Sequence, residues 1–377
     1  MRFMKYIIDG IDFYHISAEK YWVFPSTYKG NKQEEMKNMI FSNTYGGARK
    51  IDGCYYRFEK DEDGNCFLIA RSENVNGEMT DKKDWVPQLT DFFERIPKGS
   101  CLLGEIYFPK NEGSRHVTTI MGCLPQKARD RQEKGEKLHY YVFDVWAWNG
   151  RSYLDMKAED RFQLISTNFN NSIYQHPYVE WAMYYIGPAL WDELEKVREA
   201  NGEGIVITKL DSVPAPGKRT ARKTLKIKKE LDNPVDCFLT GKWKPATKEY
   251  KGKEIEEWPY WFNMRTLEKK KGYYYKEWYN GESYEPVNRL WYNGWAAAIE
   301  IAVIKDGVEF PIGWISGIDD SVREGITTHP EDYIHRVVKV NGMSIEPDTH
   351  KLRHGKIIEW RAPGDKSWEE CSMEQFL

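Results

Sequence analysis

The stretch "ARKIDGCYYRFE", Ala48 to Glu59, sets a lysine one residue ahead of an Asp-Gly pair, where a run rich in aromatic residues begins. Asp-Gly is turn chemistry, and the run after it has strand composition. An acidic turn, "DEDGN", and a second strand-like run, "CFLIARSE", follow, so Ala48 to Arg71 reads as a β-hairpin with the lysine where a strand begins. Further along, "SCLLGEIYFP" (Ser100 to Pro109) and "HYYVFDVWAWNG" (His139 to Gly150) read as strands closed by Pro or Asn-Gly. Helical spacing of apolar residues marks "YLDMKAEDRFQLIS" (Tyr153 to Ser166) and "ALWDELEKVREANG" (Ala189 to Gly202). Two more strands, "EGIVITKL" and "TLKIKK", flank a basic loop, "DSVPAPGKRTARK". Beyond "ELDNPVD" the pattern is read as β structure throughout, which places a domain boundary near Leu231 and divides the chain into 1–231 and 232–377.

The chain has 377 residues, enough for two domains that each bury a core. Lys+Arg of 55 against Asp+Glu of 58 leaves a net charge of -3, so any contact with a polyanion must come from local basic patches. Two such patches stand out: Pro216 to Lys223, with Lys218, Arg219, Arg222 and Lys223, and the triplet Lys269 to Lys271. The 6 cysteines lie far apart without a C-x-x-C pair, which speaks against zinc sites and disulfide frameworks and fits a reducing cytoplasmic setting. No stretch approaches the roughly 20 apolar residues of a membrane-spanning helix. An aromatic content of 15%, with 15 Trp, is high, and much of it falls between Lys244 and Tyr292, where Trp and Tyr mix with Lys as in a nucleic-acid surface or an extension of the fold.

A lone K-x-D-G says little. Its weight comes from four later elements in fixed order: Gly104-Glu105, Val142-Phe143-Asp144, Glu203 to Ile207, and Leu225 to Lys228. Each places a charged or aromatic residue in or beside an apolar strand, where a charge is costly unless paired or used.

These five elements, in this order, resemble the motifs of the covalent nucleotidyltransferases, the superfamily of ATP-dependent DNA ligases, RNA ligases and capping enzymes. The resemblance implies an α+β fold: an adenylation domain of antiparallel sheets with helices, then a C-terminal OB-fold β-barrel. It implies that Lys50 attacks the α-phosphorus of ATP to give a lysyl-AMP, with Lys226 and Lys228 holding the phosphate and disfavouring the Lys50 ammonium. An unperturbed lysine is neutral in only about one molecule in 2,500 at pH 7, so the amine must be deprotonated somehow. Glu105 and Glu203 would bind Mg²⁺; Glu105, Asp52, Phe143 and Arg71 would serve the nucleotide, Phe143 by stacking on adenine and Arg71 at the ribose and nucleic-acid phosphate. The family's arginine five residues after the nucleophile is replaced by Tyr55, with Arg57 as the candidate substitute on the same strand face.

The region from Ala296 to Cys371 resembles the OB domain of ATP-dependent DNA ligases, including "LRH" at Leu352 to His354. The last motif departs from the usual R-x-D-K: "RAPGDK" puts Pro363 two before Asp365 and Arg361 further back. Arg361 and Lys366 are the candidate pyrophosphate contacts, against the alternative of a charged turn. The implied protein is a compact, viral or phage-like monomeric ligase that seals 5′-phosphate/3′-hydroxyl nicks in duplex DNA. An RNA ligase, a capping-type enzyme or a non-catalytic nucleic-acid binder are the alternatives.

Overall fold

A computed structural model describes residues 7–8, 11–12, 22–23, 31–73, 79–110, 113–170, 173–200, 202–217, 222–228, 234–252, 255–273, 283–346 and 349–376. Lys218 and Arg219 of the basic loop lie outside them. The chain forms two compact units, Met1–Lys229 and Glu230–Leu377. Among the described residues no helix is long and apolar enough to cross a membrane.

The main elements of the first unit are, in chain order, α1 (Asn31–Phe41), β1 (Tyr45–Lys50), β2 (Cys54–Lys60), β3 (Cys66–Glu73), β4 (Ser100–Tyr107), α2 (Ser114–Met121), α3 (Pro125–Glu133), β5 (His139–Trp148), α4 (Ala158–Gln163), β6 (Val179–Trp181), α5 (Pro188–Glu199), β7 (Gly204–Lys209) and β8 (Thr224–Lys228). They build two sheets. One runs Tyr185–Ile186, β1, β7, β8, Trp22–Val23; the other runs Arg151–Ser152, β5, β4, β2, β3, Met79–Asp81, with β6 parallel to β5.

The opening stretch is not the start of a hairpin. Lys50 ends β1 in the smaller sheet, Cys54 begins β2 in the larger, and Ile51-Asp52-Gly53 cross between them. Asp52 therefore does not continue the strand face of Lys50; its Oδ1 accepts the Ser114 N–H at the start of α2, 3.3 Å away. The hairpin itself is β2–β3, closed where Asp61 holds both the backbone N–H and the side-chain amide of Asn65 at 2.7 and 2.8 Å.

Strand alternation assigns each face. On the smaller sheet Ile205, Ile207, Leu225 and Ile227 pack against Met36 and Ile40 of α1 and Leu190, Leu194 and Val197 of α5. Burying each of these aliphatic side chains contributes about 1.5–3 kcal/mol. That fixes the register, because a one-residue slip would expose all of them and bury the lysines. The alternate residues Val206, Thr208, Lys226 and Lys228 are thereby turned to the other side. On the larger sheet Phe58, Leu68, Leu102 and Tyr140 pack with Phe92, Phe93, Val117 and Ile120.

Both helices marked in the sequence form, the first shorter than its pattern: α4 gives way to a π-helical turn at Leu164–Phe169. Helix α3, "PQKARDRQE", went unmarked because it buries only Ala128 and Gln132 and has no apolar stripe to read.

In the second unit β9 (Val235–Pro245), β10 (Ala296–Lys305), β11 (Val308–Ile315), β12 (Val337–Asn341) and β13 (Lys356–Trp360) form an antiparallel sheet in the order β11-β10-β9-β12-β13. The region read as all β also holds a helix, α6 (Asp320–Thr328), anchored by Arg323, which donates to Ser316 O at 2.6 Å. Between β9 and β10 stands a separate three-stranded antiparallel sheet, Lys269–Lys271, Tyr260–Asn263, Tyr284–Pro286. The lysine triplet is thus an edge strand rather than a loop, and its ammonium groups lie over rings: Lys269 over Trp291 at 5.0 Å, Lys270 over Tyr284 at 5.1 Å, Lys271 over Tyr260 at 5.6 Å.

Candidate active site

The two sheets of the first unit flank a pocket lined by Ala48, Lys50, Val206, Thr208 and Lys226 from one sheet and by Glu105, Tyr141, Phe143 and Asp144 from the other. The register explains the grouping. Lys50, Gly204 and Lys228 stand in one row across β1, β7 and β8, and Ala48, Val206 and Lys226 in the next.

Glycine in the middle of the first row is a requirement. Gly204 has φ +136°, and a Cβ there would fall 2.0 Å from the Ile227 carbonyl oxygen. Bare backbone at this point lets β7 lie against β8, and the preceding side chain, Glu203, reaches both lysines. Its Oε2 lies 2.5 Å from Lys50 Nζ and its Oε1 2.9 Å from Lys228 Nζ. Glu105 stands 3.9 Å from the same Lys50 Nζ and accepts the Gly53 N–H at 3.1 Å.

This electrostatic arrangement departs from the expectation that Lys226 and Lys228 depress the pKa of Lys50. Burial does oppose its charge, but Glu105, Glu203 and Asp52 together outweigh burial, and the pKa lies above that of a free lysine. The lysine that is depressed is Lys226, drawn down to about 8 by burial and by the charge of Lys50. The two carboxylates diverge. Burial, reinforced by Glu203, raises Glu105, whereas for Glu203 Lys50 and Lys228 overcome burial and hold it low.

Of the candidates, Lys50, Glu105, Phe143 and Lys226 line the pocket directly, and Glu203 and Lys228 join through their ion pairs. Arg57 does not line it. Both faces of β2 are covered, and Arg57 is buried beside Glu59, Nε to Oε1 2.5 Å, while Tyr55 packs behind Phe143 with ring centroids 6.3 Å apart. The proposed substitution of Arg57 for the family arginine therefore fails. Arg71 is exposed on β3 and also stands outside the lining.

Sequence reasoning passed over Val206, on the opposite sheet from Phe143, and over Arg161 of α4, whose Nε and Nη2 grip Asp144 at 2.8 and 3.1 Å. Alternation around Glu203-Gly204 could have flagged Val206. Nothing local to Arg161 signals its partner.

In the second unit Arg361 and Lys366 converge on one carboxylate, Asp236 of β9: Arg361 Nε at 3.0 Å and Lys366 Nζ at 2.9 Å. Asp365 is an exposed turn residue that accepts the Ala362 N–H at 3.2 Å.

Among the described residues no group of three or more His, Cys, Asp or Glu forms a metal cage. Glu105 and Glu203 supply two hard oxygen donors beside one point, the donor set Mg²⁺ takes when substrate phosphates complete its shell, so the residues fit that ion.

A search of curated proteins returns no match. Solved structures do match in fold. A Lig E DNA ligase, from work on DNA binding with a minimal scaffold, aligns over 92% of this chain and 99% of its own at 13% identity and a TM-score of 0.53. The structure designated Pmar-Lig aligns over 92% of this chain and 68% of its own at 13% identity and a TM-score of 0.56. The Chlorella virus DNA ligase-adenylate is similar at 17% identity over 92% of this chain and 98% of its own, with a TM-score of 0.34. The family model for the ATP dependent DNA ligase domain matches residues 29–228, which contain the larger sheet, all of the smaller one except Trp22–Val23, and every residue of the pocket; the chain belongs to the family of ATP-dependent DNA ligase domains.

Proposed function

We propose that the protein seals 5′-phosphate/3′-hydroxyl nicks in duplex DNA, using ATP and Mg²⁺, through a lysyl-AMP on Lys50 and an adenylated DNA 5′ end. The observation that carries this reading is the buried Lys50–Glu203 pair, with the half-buried Lys228 on the same carboxylate, beside the pocket between the sheets. A protein that only bound nucleic acid would have no use for a buried lysine between two carboxylates, since each buried charge costs free energy.

In this reading Phe143 and Val206 sandwich the adenine, Lys226 and Lys228 hold the α-phosphate, and Lys50 Nζ forms the bond to phosphorus as pyrophosphate leaves. When bound, Mg²⁺ would neutralise the Glu105 and Glu203 carboxylates that favour the Lys50 ammonium, which frees the amine to lose its proton. The division of labour is an adenylation domain over 1–231 and an OB-fold domain over 232–377, with Arg361 and Lys366 contacting pyrophosphate, each domain contributing contacts to DNA, and the protein acting as a monomer. Asp52 acts through its hold on the start of α2, and Arg71, exposed on β3, contacts nucleic-acid phosphate. The six unpaired cysteines suit work in a reducing cytoplasm.

Incubation with α-labelled ATP and Mg²⁺ followed by denaturing electrophoresis tests the reading. Label on the protein that transfers to nicked DNA supports it. No label sinks the enzyme; label only with GTP, or transfer only to RNA, redirects it to the capping or RNA-ligase alternatives.

A further inference from the structure

Phe143 occupies an irregular place in its sheet. Leu103 of β4 pairs with Asp144 of β5 and Gly104 with Val142, so Phe143 is the extra residue of a β-bulge and has no partner across the ladder. A bulge re-aims a side chain, and here it turns the ring into the pocket. It also deprives the backbone at Phe143 of the pairing that would hold it.

Two devices outside the sheet replace that pairing. After β6 the chain continues alongside β5, where Ala182 N–H donates to Val142 O at 2.8 Å, and the Tyr184 hydroxyl then donates to the carbonyl of Phe143. The Tyr184 ring is itself held, stacked on Phe162 of α4 with centroids 3.6 Å apart and planes 5° from parallel. On the other side of the bulge Arg161, the residue before Phe162, forks onto Asp144 at 2.8 and 3.1 Å. One short helix therefore fixes the bulge from both sides.

Phe162 and Tyr184 themselves line the pocket; we propose that their part in base affinity is to hold the Phe143 bulge in register, which sets how tightly the pocket takes the purine base. This rests on the reading of the pocket as a nucleotide site. It assigns base affinity to a hydroxyl whose hydrogen bond goes to the bulge backbone.

Tyr184→Phe keeps the ring and its stack on Phe162 and deletes the hydrogen bond to the Phe143 carbonyl. Binding of a non-hydrolysable ATP analogue, measured by calorimetry, should weaken about three- to tenfold, while binding of inorganic tripolyphosphate, which has no base, stays at the wild-type value. Phe162→Leu, which removes the stack and keeps the hydroxyl, should weaken the analogue in the same direction. The KM for ATP in self-adenylation should rise with little change in kcat. Thermal melting of both variants identifies any general loss of fold. An unchanged analogue affinity in Tyr184→Phe, or equal weakening for analogue and tripolyphosphate, overturns the positioning role. Failure of the wild-type protein to bind the analogue would overturn the nucleotide site as well.

Discussion

Lys50 and Glu203 come from opposite ends of the first unit's sequence and meet at 2.5 Å, both almost fully buried. Lys50 closes β1, Glu203 immediately precedes β7, and the glycine after Glu203 lets β7 pack against the backbone of β8.

Replacing Lys50 with Ala should abolish self-adenylation yet leave sealing of a pre-adenylated nick, since the nucleophile is needed only until AMP has reached the DNA. Gel assays of the two half-reactions separate these outcomes, and label retained on the denatured mutant would refute the assignment.

Glu203→Ala should impair both half-reactions and also lower stability, because it removes the carboxylate that Lys50 and Lys228 share and leaves the buried Lys50 with Glu105 alone at 3.9 Å. Breaking a buried pair costs about 3 kcal/mol. Urea denaturation beside the half-reaction rates checks both parts, and a loss confined to the first step would contradict a metal-binding role.

Gly204→Ala should destabilise the first unit by at least about 2 kcal/mol. An alanine at φ +136° would press its Cβ into the Ile227 carbonyl and force β7 away from β8. A denaturation midpoint close to wild type would show that the strand pair tolerates the shift.

Asp236 supplies a pH-dependent contribution. Burial alone would raise its pKa, but Arg361 and Lys366 hold it below the usual carboxylate range. A carboxylate depressed in the folded state adds stability above its unfolded pKa of about 3.9, and that stability is lost as pH falls through the lower, folded value. Asp236→Asn should therefore be less stable than wild type at pH 7, with the gap closing in acid. Denaturant midpoints from pH 7 down to pH 2.5 measure it; a gap constant across the series would remove the ion pairs as its cause.

Neutralising Lys269, Lys270 and Lys271 together should make nicked-duplex affinity less sensitive to salt, the logarithmic slope falling by about 1 for each of these lysines that neutralises a phosphate. The same test applies to Lys218, Arg219, Arg222 and Lys223. Unchanged slopes in both variants would show that neither patch touches phosphate.

How much of this was legible depended on whether the signal was local. Lys226 and Lys228, two apart on a strand, could be placed on one face from spacing alone, and the Glu-Gly step before an apolar run marked Glu203. Arg57 was misread because alternation identifies two faces of a strand without saying which one borders a cavity when both are covered. The partnership of Arg161 with Asp144 was invisible, since it depends on where α4 docks. Taking Lys50 for the head of a strand followed from composition: Asp-Gly marks a turn, but not whether the chain returns in the same sheet or leaves for another.

That departure from one sheet to the other has a practical use. Lys50 belongs to the smaller sheet and Glu105 to the larger, and only the three residues from Ile51 to Gly53 join β1 to β2. A chain in which one sheet had formed without the other would carry the lysine but lack half of its surroundings. Covalent labelling of Lys50 would then serve as a stopwatch for refolding: AMP incorporation sampled after dilution from denaturant would time the assembly of the two sheets, separately from the appearance of strand signal in either.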